Sequence, residues 1–141
     1  MRPHLSNRLL AVVDALPLQP GLRVLEVGCG PGAAAREVAR RIAPGSVLGI
    51  DRSAAAIAQA LAGSRAEIEA GALSFRQVRV EDFVLEPGET PFDLAFAVRV
   101  GALDGRHPEA GRQALARLRA ALAPAGRLLV DGGDPLRELS W

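Results

Sequence analysis

Three glycines at alternate positions, Gly28, Gly30 and Gly32, with an acid, Asp51, further along, are the residues whose spacing most constrains the chemistry of this chain. Glycine admits backbone conformations and close ligand approach that a Cβ obstructs. A helix starting just after such a loop presents unpaired N–H groups to whatever lies above it. A carboxylate about 20 residues beyond the glycines, at the end of the next strand, can accept hydrogen bonds from both hydroxyls of a ribose. The competing reading of Asp51 is a turn or helix-cap acid. Together these residues predict a nucleoside-type ligand. The dinucleotide fingerprint is spaced G-x-G-x-x-G and seats a diphosphate on the helix N-terminus. This chain is spaced G-x-G-x-G, and Glu26 precedes its first glycine by two positions.

Proton-transfer chemistry is narrowly limited. The sequence has no lysine and no tyrosine, so Schiff-base and phosphate-loop lysine mechanisms are excluded, and its arginines bind charge without acting as bases. Only His4, His107, Cys29 and carboxylates can move protons. One cysteine allows no intramolecular disulfide and no four-ligand metal site by itself; Cys29 is read as a packing residue, and no metal is expected. The formal net charge of +1, with interspersed signs, gives no field for nucleic acid or an anionic membrane. The start has no apolar signal region, and no apolar run reaches the length of a membrane helix. A cytoplasmic protein is expected, with no nucleic-acid or membrane partner.

The elements that must hold these residues alternate in type. At 141 residues, 49% hydrophobic and 23% charged, the chain suits one domain spanning 1–141. Helical spacing over 7–16 precedes a strand over 22–27 that stops at the glycines. A helix over 33–43 buries Ala35, Val38, Ala39 and Ile42, with Arg36, Glu37, Arg40 and Arg41 largely outside that face. A strand over 46–50, a Ser53-capped helix over 54–62 and a short helix over 64–70 follow. Strands are predicted over 73–80, 92–100 and 127–130, with a helix over 108–123 between the last two. Strands alternating with helices predict a doubly wound, mostly parallel α/β sheet with helices on both faces.

Val24 to Gly32, reading Val-Leu-Glu-Val-Gly-Cys-Gly-Pro-Gly, resembles the first motif of the class I S-adenosylmethionine-dependent methyltransferases. The resemblance covers about Leu22 to Asp131. It implies a Rossmann-like sheet of about five strands in the order 3-2-1-4-5, and S-adenosylmethionine as cofactor. It makes Gly28, Cys29, Gly30 and Gly32 the loop beneath the cofactor and Glu26 the acid assisting its ammonium, a charge that an acid attracts where it would repel a diphosphate. It makes Asp51 the ribose carboxylate, with Arg52 beside the adenine. Glu81 and Asp82 fall where the family reads the adenine edge, although many members carry an acid at the position of Arg79. Ala97, Val98 and Arg99 would face the methionyl side, where Arg99 could meet a carboxylate of cofactor or substrate or pair with Asp104 or Glu26.

Methyl transfer is an in-line displacement in which the protein mainly supplies positioning, with a base only if the acceptor must lose a proton. His107 is the candidate base. The expected activity is transfer to a small-molecule acceptor; the alternative is a cofactor-binding module that is inactive alone or needs a partner chain. Family cores normally continue through two more strands, and only 132–141 remain here. The fifth strand is therefore expected to be an open edge, pairing or exchanging a segment with a second copy in a homodimer that buries Leu136 or Trp141.

Overall fold

The computed structural model describes residues 5–140; His4 and Trp141 lie outside the described residues. The chain runs α1 (Asn7–Ala15), β1 (Arg23–Val27), α2 (Ala33–Arg41), β2 (Ser46–Asp51), α3 (Ala54–Gly63), α4 (Arg65–Glu69), β3 (Leu73–Gln77), β4 (Phe92–Ala97), α5 (Pro108–Ala121), β5 (Leu122–Asp131) and β6 (Leu136–Leu139). Single 3₁₀ turns lie at Val80–Asp82 and Gly101–Leu103. Ser6 and Ser53 cap α1 and α3 by accepting from the N–H groups of Leu9 and Ala56, each at 3.1 Å, which satisfies donors that a helix start leaves unpaired.

All six strands join one sheet in the order β3-β2-β1-β4-β5-β6. The first five are parallel and β6 is antiparallel to β5. Successive residues along β1, and along β4 from Leu94 onward, point to opposite faces, as a strand's period of two requires, with a register irregularity between Phe92 and Leu94. Leu25, Ala95 and Ala97 enter a core beneath α5 with Phe92, Leu118 and Leu128. Val24, Leu94 and Phe96 enter a second core beneath α1 and α2 with Val12, Val13 and Val38. Both faces are thus covered, which is why β4 reads as a nearly unbroken apolar run.

β1 lies between β2 and β4, so the chain leaves it in one direction and returns on its other side. The resulting crevice at the carboxyl ends of the strands is where such sheets take their ligands. The Gly28 loop, Asp51, Arg99 and Asp131 all emerge there.

Three expectations need correction. The β5 edge is not open: after Asp131 the chain turns through Gly132 and Gly133, whose N–H donates to the Pro135 carbonyl at 3.2 Å, and β6 pairs Leu128 with Leu139 and Asp131 with Leu136. The third strand ends at Gln77 because Val80–Asp82 turns as a 3₁₀ helix. Arg36, placed on the outer face of its helix, is only 4% exposed. It is folded inward to donate to the Pro31 carbonyl at 2.9 Å and Ser64 Oγ at 3.0 Å.

Candidate functional site

The glycine loop is anchored to β2 at its start. The N–H groups of Gly28 and Cys29 donate to the Ile50 carbonyl at 2.8 and 3.0 Å. Gly28 has φ +74°, and a Cβ there would stand 2.8 Å from Val100 Cγ2. Gly30 has φ +53°, and the space its Cβ would enter holds nothing within 4 Å. Its N–H donates to Asp51 Oδ2 at 2.9 Å, while Ser53 N–H donates to Oδ1 at 2.9 Å. Asp51 therefore does serve as a turn acid. A carboxylate offers about four lone-pair sites, so each oxygen retains capacity for one hydroxyl.

Behind the loop stands Glu26, 5% exposed, with Oε1 buried and without a hydrogen-bond partner. Burial first, then the nearby Asp51 charge, pushes its carboxyl up to about 8, against the pull of the Ala35 N–H and the Arg36 guanidinium. A buried carboxyl with an unused oxygen needs a cation or a proton. Cys29 is buried over Gly49, whose Cβ would fall 3.0 Å from Cys29 Cβ. Burial, then Glu26 and Asp51, raises its thiol well above the ordinary range, which makes it a poor nucleophile and agrees with a packing role.

Two cavities meet over this loop. The first, of about 520 Å³, is lined by Asp51, Arg52, Val78, Arg79, Glu81, Gly101, Arg106 and His107 among others. The second, of about 500 Å³, is lined by Glu26, Cys29, Gly30 and Pro31, and on its far wall by Ser6, Arg8 and Leu9 of the α1 entry. Gly28, Val98 and Arg99 line both. Three other residues singled out from the sequence line neither. Gly32 is the N-cap of α2, Asp82 is held by Arg79 at 3.1 Å, and Ala97 is 1% exposed in the core.

Arg99 is the one non-glycine residue with positive φ, +57°, among the described residues. Such outliers persist only when surrounding structure enforces them. Here Asp131 Oδ1 accepts the Arg99 N–H at 3.1 Å, and Asp131 Oδ2 meets Arg8 at 3.5 Å. The ion pairs considered for Arg99 do not form: Asp104 holds Arg106 at 2.7 Å instead, and among the described residues no carboxylate pairs with the Arg99 guanidinium.

Sequence reasoning missed Arg36, Asp131 and the α1 wall. An acid closing the fifth strand was a readable signal for Asp131. Nothing local marks Arg36, whose partners come from elsewhere in the chain. Among the described residues no group of His, Cys, Asp and Glu is arranged to hold a metal, and no helix is long and apolar enough to cross a membrane.

Residues 24–126 match a family model described as "Methyltransferase domain". A trans-aconitate 2-methyltransferase of Paracidovorax citrulli is 34% identical over 99% of this chain and 48% of its own length. A nocamycin O-methyltransferase of Saccharothrix syringae is 36% identical over 94% of this chain and 45% of its own. The solved structure of a SAM-dependent methyltransferase from Thiobacillus denitrificans, in complex with S-adenosyl-L-homocysteine, superposes with a TM-score of 0.65 at 26% identity, covering 92% of this chain and 50% of that one. The chain spans about half the length of the curated relatives it matches.

Proposed function

The chain belongs to the class I S-adenosylmethionine-dependent methyltransferase family, and from that premise we propose that it binds S-adenosylmethionine and transfers the methyl group to a small-molecule acceptor. The cofactor supplies an electrophilic methyl on a positively charged sulfur. Asp51 holds the ribose hydroxyls through the lone pairs its backbone donors leave unused, and Arg52 and Glu81 flank the adenine. Across Gly28 and Val98, Glu26 takes the ammonium of the methionyl arm in the second cavity. Gly30 supplies clearance, since any side chain there would project into the space the ligand needs. Gly32 and Ala97 support the loop from beneath, and Asp82 acts on the first cavity only by fixing Arg79.

The observation that carries this reading is the buried, unpartnered Glu26 oxygen behind a G-x-G-x-G loop. Carboxylate chemistry there suits an ammonium and opposes a diphosphate. Calorimetry with S-adenosylhomocysteine and with NAD tests it: saturable binding of the first and none of the second is expected. Binding of NAD alone would overturn it.

A second reading is a cofactor-binding core whose acceptor site is completed by further chain or by a partner. It is favoured by the half-length match to the curated relatives. Turnover with added acceptors, measured on the chain alone, separates the two. We also read the chain as one domain, in keeping with its single continuous sheet, and as cytoplasmic, in keeping with a free, buried Cys29. Self-association through the β5 edge loses its basis now that β6 occupies that edge; any pairing in this direction would use β6 itself.

A further inference from the structure

The first cavity is open and the charge of its lining is lopsided. Arg52, Arg79, Arg99 and Arg106 contribute to the wall against two carboxylates, Asp51 and Glu81. Asp51 is engaged by two backbone N–H groups. Arg79 and Arg106 are tied to Asp82 and Asp104, which lie outside the lining. Arg99 differs from both: its backbone is fixed in a left-handed conformation by Asp131, the residue lines both cavities, and no carboxylate among the described residues pairs with it. An arginine whose backbone is fixed at the cavity wall and whose guanidinium has no anion is a receptor for one. On the outer side, the His107 ring packs against Gly101, where a Cβ would lie 3.1 Å from Cδ2, and it also borders the cavity.

Resting on the cofactor reading above, we propose that the outer part of this cavity receives an acceptor bearing at least two carboxylates, one anchored by Arg99 and the other methylated. A guanidinium placed on the attacking oxygens would draw away the electron density they must donate, so anchor and nucleophile have to be separate groups. An oxygen lone pair of the free carboxylate forms the new O–C bond while the methyl C–S bond breaks and its electron pair stays on sulfur. The sulfonium becomes a thioether and the carboxylate a methyl ester. No proton moves, because a carboxylate is already ionised at neutral pH. This removes the need for a base, and His107 acts instead as a hydrogen-bond donor to the anion.

The test uses the full chain saturated with S-adenosylhomocysteine and titrated calorimetrically, at low salt, with succinate, glutarate and citrate. Succinamide and 1,4-diaminobutane serve as the neutral and cationic counterparts. At least one of the three anions binds saturably and the counterparts do not. Arg99→Gln weakens that anion about tenfold or more, Arg99→Lys recovers part of the loss, and Arg112→Gln, on the exposed surface of α5, changes nothing. With S-adenosylmethionine in place of the homocysteine product, mass spectrometry detects the mono-methyl ester of the anion that binds. Failure of all three anions to bind the loaded chain, or equal binding of succinamide, overturns the proposal. So does an Arg99→Gln variant that loses S-adenosylhomocysteine as severely as the anion, because the guanidinium then belongs to the cofactor. Failure of wild type to bind S-adenosylhomocysteine removes the cofactor reading and this inference with it.

Discussion

Asp51 holds the loop with the same two oxygens that we propose for the ribose, so its removal should do two kinds of damage. Asp51→Ala deletes the ribose acceptors and also frees the Gly30 N–H. We expect it to weaken S-adenosylhomocysteine by about 1–3 kcal/mol in a protein that still folds. Gly30→Val acts by obstruction, since the space above Gly30 is open and its φ is positive. Calorimetry on both variants, with circular dichroism to check folding, should show weaker binding in each; unchanged affinity in both would remove the site assignment. Glu26 predicts a pH dependence of definite sign. Its folded value of about 8, against an ordinary 4.5, means the folded chain carries a proton that the unfolded chain lacks across that window. Its contribution to stability is present below 4.5 and is lost as pH rises through 8. Ligand binding runs the other way, because an ammonium favours the charged form. Affinity should climb on the order of tenfold between about pH 6 and 8 and then level off, with proton release detectable in buffers of different ionisation enthalpy. Glu26→Gln should flatten that slope, and a flat wild-type profile would mean that no cation meets this carboxyl.

Elements with strong local signals were legible in the sequence, and those defined by distant partners were not. β1, the glycine turn and α2 follow from a short aliphatic run, punctuating glycines and helical spacing, and Asp51 follows from its place at the end of the next strand. β6 was invisible because Leu136-Arg137-Glu138-Leu139 has no alternation and is half charged. It is a strand only because β5 offers it an unpaired edge and the Gly132-Gly133 turn brings it round. The Arg127–Glu138 ion pair at 2.7 Å then clasps the two strands. Arg36 escaped for a similar reason, since an arginine among charged neighbours reads as solvated until Ser64 and the Pro31 carbonyl are brought to it. β6 yields its own prediction. A chain ending at Asp131 exposes the β5 edge and should self-associate at micromolar concentration in light scattering, while the full chain stays smaller. Equal size for the two would mean that β6 does not guard the edge.

At the scale of the whole molecule, one sheet separates two apolar cores while its carboxyl edge supplies nearly every group of the ligand crevice. The ligand contacts we propose therefore draw on β1, β2 and β4 together, and occupancy should stabilise the fold as a unit. At S-adenosylhomocysteine concentrations about 100 times Kd the gain should approach roughly 2.7 kcal/mol. It should be read as one sigmoidal transition displaced to higher temperature, and a second, unshifted transition would show that the cores melt separately. The two hollows touch only at the saddle of Gly28, Val98 and Arg99. Adenosine and homocysteine, offered as loose pieces, should each settle on its own side of that ridge and bind feebly. The thread of bonds that joins them converts two poor encounters into one good one by confinement alone. A bulky ring grafted onto the ridge, as in Val98→Phe, should sever that advantage, leaving adenosine almost untouched while the joined molecule loses most of its hold.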